Sequence, residues 1–403
     1  MGRLKAAPTL IVAFLFFVWG LIPTAFASTT KPEVVWAGVG FSGNWGERAS
    51  LYPFTSSFFC NSQTATCDPE ESIETWARQR LLGDQQRDYP FSVKLGQLDT
   101  ERLEQIGLVI TIANESISSE KMIVGDASKT TFLTSYSIIG SALFFDVQSK
   151  KMIFSVPLVT RYTTAYEQLP GADHHRQVFR NLLQDETRDL NFFSEMAQRL
   201  RRSKLDFSPS AYVRITQSTF GDAVKKRFSS AGYVNTSEKF LATFFENVFV
   251  KETGYALIPN AVGHAVGNKI ATRIPSGDLT IELPEPGYEM TLHVAKLMFS
   301  RKPGRRSDSL CWGGKIEWRM NELLFGSERV GHADIKNVNC AVVGKQTQLS
   351  HDVEFMKLLL GTAETFAKQF SKPDRGWLKK HTDDEKVARQ GIEKIHSIFA
   401  TDL

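Results

Sequence analysis

The stretch WAGVGFSGNWG, residues 36–46, sets Gly38, Gly40 and Gly43 in the order G-x-G-x-x-G behind the apolar run Val34-Val35-Trp36-Ala37. This is the letter pattern of a dinucleotide-binding loop, in which glycines let the backbone approach a pyrophosphate at a helix N-terminus. That chemistry needs a helix directly after the glycines and an acidic residue closing a second strand about 20 residues on. Here Gly46 and Pro53 leave little room for the helix, and the acidic strand end is missing. The stretch reads instead as a strand end and loop, and no cofactor is expected. Within it, G-F-S-G-N approaches a serine-hydrolase elbow around Ser42. The elbow needs glycine two residues after the serine for its strained turn, and Asn44 stands there. His351, His381 and His396 lie downstream, but a histidine's presence alone does not build a triad.

Asp173-His174-His175 suggests the D-H-H of manganese phosphoesterases. The further aspartates and the glycine-rich substrate motif of those enzymes are missing, and Asp173 reads as an acid at a helix start. Val262-Gly263-His264-Ala265 nearly repeats as Val330-Gly331-His332-Ala333. The first falls on a predicted helix start and the second on a strand, so both histidines are expected to be structural. Arg301-Lys302-Pro303-Gly304-Arg305-Arg306 forms a basic tip between two strong strands. Charge there discourages edge pairing, and it offers a docking patch for anionic lipid, a glycan or an acidic partner. Arg199, Arg201, Arg202 and Lys204 make a second cluster at a helix C-terminus, where cations complement the dipole. Residues 54–59 (FTSSFF) read as core packing rather than an exposed contact loop, since large aromatics are mostly buried. No H-E-x-x-H, P-loop or glycosidase-like carboxylate pair is present. No catalytic, cofactor or metal residue is therefore assigned.

The elements that would position these residues recur in two halves. TSYSIIGSALFFDV (134–147), QSKK and MIFSVPLVTRY (152–162) read as strand, turn and strand, rich in β-branched and aromatic residues. SLCWGGKIEWRM (309–320), NE and LLFGSERVGHADI (323–335) repeat that pattern. A strand precedes each hairpin, at 108–117 and 288–300. A helix follows each, predicted over 178–200 and 353–370 from apolar residues at helical spacing. Each half opens with a strand and a helix, at 34–41 and 70–82, then at 211–217 and 238–248. The tail from Lys372 reads as a surface helix with an apolar stripe at Val387, Ile392, Ile395 and Phe399. The expected fold is α+β: two tandem α/β sandwich domains, residues 28–205 and 206–403, each a mainly antiparallel sheet with helices on one face. Either the second domain duplicates the first, or the chain is a single larger α+β domain whose halves only look alike.

The hairpin ALFFDVQSKKMIFSVPLVTRY resembles those of curli-secretion-lipoprotein-like and flagellar-ring-accessory-like periplasmic domains, with about one such hairpin per half. The resemblance implies an envelope-assembly or accessory role without catalysis.

Residues 1–27, MGRLKAAPTLIVAFLFFVWGLIPTAFA, follow the order of a secretory signal peptide: Arg3 and Lys5, an apolar core, Pro23, then Ala25-Phe26-Ala27 for cleavage. The mature chain is expected in the periplasm or secreted, with no transmembrane segment. Cysteine usage agrees, since an even count in an exported chain points to disulfides. Proximity pairs Cys60 with Cys67 and Cys311 with Cys340, and the spacings fit no common zinc pattern. The formal charge is +4 with acids and bases mixed throughout, which excludes a general nucleic-acid or membrane-surface binder. The function expected is a non-enzymatic cell-envelope binding or assembly protein. Its partners would be envelope proteins, or anionic lipid or glycan, met through Arg301, Lys302, Arg305 and Arg306. Two alternatives stand beside it: a periplasmic hydrolase whose site is assembled from distant residues, and a small-ligand binder with a cleft between the domains.

Overall fold

The computed structural model describes residues 31–60, 68–83, 88–123, 130–185, 191–205, 207, 209, 211–216, 218–259, 269–324, 326, 328–345, 347 and 349–400. The expected signal peptide lies outside them. Among the described residues, no helix is long and apolar enough to cross a membrane.

The β-branched and aromatic runs fold as long strands, most of them extending past their predicted ends. The first sheet is built from β1 (Glu33–Ser42), β2 (Ser92–Leu95), β3 (Ile106–Ile123), β4 (Thr130–Asp146) and β5 (Met152–Tyr166). The second comprises β6 (Val213–Ile215), β7 (Thr219–Phe220), β10 (Tyr288–Pro303), β11 (Ser307–Glu322) and β12 (Glu328–Gly344). The fold is α+β with two sheets, as expected. The two sheets repeat one arrangement. The first runs β5-β4-β3-β1 and the second β12-β11-β10-β6. In each, three antiparallel strands end on a parallel fourth, β1 beside β3 and β6 beside β10. One hairpin crosses between the halves. β8 (Lys269–Ile274) and β9 (Gly277–Glu282) come from the second half of the sequence, yet they extend the first sheet beyond β1.

Helices α1 (Ile73–Leu81), α2 (Ala172–Gln184) and α3 (Phe192–Arg202) cover one face of the first sheet. The single helix predicted over 178–200 is in fact this α2–α3 pair. Asp185 ends α2 in extended backbone, and the Asn191 side chain accepts the Ser194 N–H to start α3 afresh. Helices α4 (Ala231–Thr253) and α5 (His351–Ser371) serve the second sheet. Trp318 of β11 packs edge-on against Phe366 and Phe370 of α5, at ring separations of 5.6 and 5.4 Å. The tail likewise forms two helices in place of one: α6 (Arg375–His381) and α7 (Glu385–Ala400), which pack along β12. Capping again divides them, since Asp374 accepts the Trp377 N–H and Asp384 the Val387 N–H. The second hairpin turns later than predicted. β11 runs on through Asn321-Glu322, and β12 begins only at Glu328, with Leu324 between them exposed.

Residues 33–403 form one compact unit. Its main apolar core runs without a break from Ile110 and Phe144 of the first sheet to Trp318 and Phe366 of the second half. A separate small core lies on the far face of the first sheet. There Val109, Leu143, Phe145 and Met152 meet Ile270, Ile274, Leu279 and Ile281 of the β8–β9 hairpin.

Candidate functional site

The glycine-rich stretch ends β1 and is occupied by neighbouring backbone. Gly38 has a φ of 112°, where the β1–β3 register shifts at a bulge. The bulge frees the Val39 N–H, which donates to Glu74 Oε2 at 2.8 Å. At Gly40 a Cβ would lie 2.5 Å from Thr272 and 2.6 Å from the Arg273 carbonyl, so glycine is what lets β8 cross this closely. The Gly43 N–H then donates to the Ala271 carbonyl at 2.8 Å. Ser42 is buried with its hydroxyl unpartnered, while its carbonyl accepts the Tyr52 hydroxyl.

The Asp-His-His triplet lies in the first turn of α2 rather than ahead of it. His174 Nε2 contacts the Tyr166 hydroxyl at 2.8 Å, and His175 Nδ1 the Tyr136 hydroxyl at 3.0 Å. Among the described residues no group of three or more His, Cys, Asp or Glu is gathered as metal ligands would be. His264 lies outside the described residues, and His332 is exposed on β12. The phenylalanines of 54–59 pack inward: Phe54 stacks on Phe179, Phe58 meets Trp76 and Phe59 meets Phe41. In the second basic cluster, Arg199 departs from the expected surface role. It is half-buried, and its Nη1 donates to the carbonyls of Pro157 at 2.8 Å and Asn247 at 3.0 Å, joining β5 to α4. Burial lowers its pKa to about 10.

The predicted partner-binding residues sit at the distal end of the second sheet, on the turn between β10 and β11. Arg301 is engaged. Its Nε donates to Asp308 Oδ2 at 2.8 Å, and Lys345 Nζ reaches the same carboxylate at 3.1 Å. Hydrogen bonds from these two cations hold the Asp308 carboxyl below its usual range. Lys302, Arg305 and Arg306 are exposed, and no ion pair holds them among the described residues.

Beside this tip the sheet face opposite α5 is open. Cross-strand register aligns Met298 with Gly313 and Val338, then Ser300 with Cys311 and Cys340, then Lys302 with Ser309 and Val342. Alternation along a strand puts these rows on one face. Cys311 and Cys340 form the expected disulfide, with an S–S distance of 2.10 Å. Cys60 carries no free thiol, but its predicted partner Cys67 lies outside the described residues. Met298, Val338 and Val342 expose 47%, 61% and 75% of their surface, so the open face carries apolar side chains that nothing described covers. Further along the face the charges pair with one another: Lys315 with Asp334 and Asp383, Lys336 with Asp383, and Arg319 with Glu317.

A second surface, a cleft, is lined by residues that the sequence did not single out as a site. A cleft of about 600 Å³ separates the far ends of β3, β4 and β5 from α4 and α5. Its sheet wall is polar, in aligned rows: Ser116, Ser137 and Arg161, then Ser118, Ser135 and Thr163. Its helical wall is mostly apolar. Tyr233, Thr236, Ser237 and Phe240 form one stripe of α4, and Val353, Met356, Lys357 and Leu360 one stripe of α5. Burial, reinforced by Asp352 and Glu120, raises the Tyr233 hydroxyl to about 12. The sequence does hold a trace of this wall, since S-I-S and S-Y-S place serine at alternate strand positions where a buried face would be apolar.

Searches with protein-family models and among curated proteins find no match for the chain.

Proposed function

We propose that this chain is a non-enzymatic envelope binding protein that docks on an anionic membrane surface through the open distal face of its second sheet. One observation carries the reading: the same four-strand arrangement occurs twice, and among the described residues only the second has its far face left bare, with exposed apolar side chains beside a basic tip. Three exposed cations at this tip, Lys302, Arg305 and Arg306, stand outside any ion pair among the described residues, while Arg301 and Lys345 share the carboxylate of Asp308. The modest net charge of the whole chain conceals this local excess. The residue types singled out for chemistry are drawn instead into structural contacts, as with the histidines on Tyr136 and Tyr166.

Magnitudes favour a bilayer over a protein partner. A stable protein interface buries roughly 800 Å² on each side, more than three apolar side chains supply. At an anionic bilayer each exposed Lys or Arg contributes about 1 kcal/mol, and small apolar groups add interfacial burial.

Co-sedimentation with vesicles of phosphatidylcholine, with and without phosphatidylglycerol, tests this. The full chain should bind the anionic vesicles and release in high salt. Replacing Lys302, Arg305 and Arg306 together by Gln should weaken binding roughly 100-fold, from about 3 kcal/mol lost. Equal binding to neutral vesicles, or no binding to either, overturns the proposal.

A further inference from the structure

The cleft between the first sheet and helices α4 and α5 lies apart from the proposed docking face. Its size, about 600 Å³, suits a small molecule rather than a macromolecule. What it would bind follows from its two walls.

On the sheet wall the hydroxyls are paired with one another. Ser116 Oγ lies 2.7 Å from Ser137 Oγ, and Ser135 Oγ lies 2.8 Å from Thr163 Oγ1. In each pair one hydroxyl donates to the other, so the second O–H remains free to donate outward. Arg161 projects from the same rows. Among the described residues it forms no ion pair, and its one hydrogen bond runs from Nη2 to Ser135 Oγ at 3.3 Å. A guanidinium offers five N–H donors and no acceptor, so most of its capacity stays unused on the cleft's lining. The wall's two other charges near the helices are engaged: Glu120 Oε1 accepts the Ser350 N–H at 3.1 Å, and Lys357 pairs with Glu354 at 2.6 Å. Arg161 is exposed on this wall, and partial desolvation lowers its pKa.

Facing this polar wall, Phe240, Met356 and Leu360 supply apolar surface, and Leu133 adds to it from β4. A ligand filling the cleft must therefore present an anion to one side and hydrocarbon to the other.

We infer that the cleft binds an anionic amphiphile, its carboxylate or phosphate head held by Arg161 and the serine–threonine rows and its apolar body laid against Phe240, Met356 and Leu360. A carboxylate or phosphate takes a bidentate grip from a guanidinium, reinforced by the free hydroxyl donors.

Titration calorimetry and thermal shift on the full chain, with laurate, dodecyl phosphate and dodecanol below their aggregation concentrations, test this. At least one of the two anions should bind with micromolar Kd and raise Tm, and dodecanol should bind at least tenfold more weakly. Which anion binds better identifies the head group. Arg161→Met should weaken the anions at least tenfold and leave dodecanol unchanged. Leu360→Ala should weaken all three. Ser137→Ala, a smaller change, should weaken the anions alone and serves if Arg161→Met folds poorly. Failure of both anions to bind the folded chain overturns the inference, as does anion binding that neither Arg161→Met nor Ser137→Ala alters.

Discussion

In the first sheet, the face turned away from α1–α3 meets the β8–β9 hairpin, and ten buried apolar side chains close a second core there. In the second sheet, the face turned away from α5 meets no described element at its distal end. Met298, Val338 and Val342 stand exposed around a disulfide. Both sheets have the same strand order and the same parallel fourth strand. The difference lies in one hairpin, which belongs in sequence to the second half and in space to the first sheet. An apolar sheet face costs free energy when left in water, so a face that is covered in one sheet and bare among the described residues in the other supports the docking surface proposed above.

The sharpest way to break this comparison is to ask whether the two sheets are one folding unit. Trp318 is fully buried against Phe366 and Phe370, in the core that also holds Phe144 of the first sheet. Trp318→Ala should cost about 3–5 kcal/mol, and urea unfolding followed by fluorescence and far-UV circular dichroism should stay a single transition at a lower midpoint. Two separated transitions would mean that the sheets fold independently. Next in size is the contrast between the covered and the open face. Ile281→Ala, at a residue with no exposed surface, should cost about 2–4 kcal/mol. Val342→Ser, on the open face, should stay within about 0.5 kcal/mol. Equal costs in the same urea assay would show that something covers the second face after all.

The smallest effect concerns two carboxylates, one for each sheet. Glu115 accepts the N–H groups of Phe54 and Thr55 at 2.7 and 2.8 Å, and burial nonetheless raises its pKa. An acid whose pKa is raised on folding contributes stability below its unfolded pKa and loses that contribution as pH climbs through its folded value. Asp308 is shifted the other way by Arg301 and Lys345. Its contribution is present above the unfolded pKa and disappears as pH falls through the folded value. Hydrogen exchange read between about pH 6 and pH 3 should therefore show the β10–β11 tip loosening on acidification while residues around Phe54 do not. Parallel loosening of both would remove the distinction.

Much of this architecture is legible in the residues. Alternating β-branched and aromatic runs mark β4, β5 and β11, and the repeat of strand, hairpin and helix marks the two sheets before either is seen. The basic tip is legible too, since six residues hold four cations between two apolar strands. Other features escape. The breaks between α2 and α3 and between α6 and α7 depend on single capping side chains, Asn191 and Asp384, that compete with strong helical periodicity around them. The sorting of the four cations escapes as well, because the pairing of Arg301 with buried Asp308 depends on strand register. Arg161 and Arg199 look alike in sequence. One faces a cleft and the other bridges β5 and α4, a choice made by the helix that lies across the β5 edge.

What the chain determined by itself is local: which segments become strands or helices, which side chains alternate toward a core, and where charge gathers at a turn. These follow from steric preference and from periods of 2 and 3.6 residues, which neighbours along the chain set. What the tertiary structure decided is the cover and the cleft. Gly40 allows β8 to approach β1, so the hairpin closes one face and leaves the other bare. Strands of the first half then face helices of the second across about 600 Å³. Those contacts join residues far apart in the chain, and no local period records them.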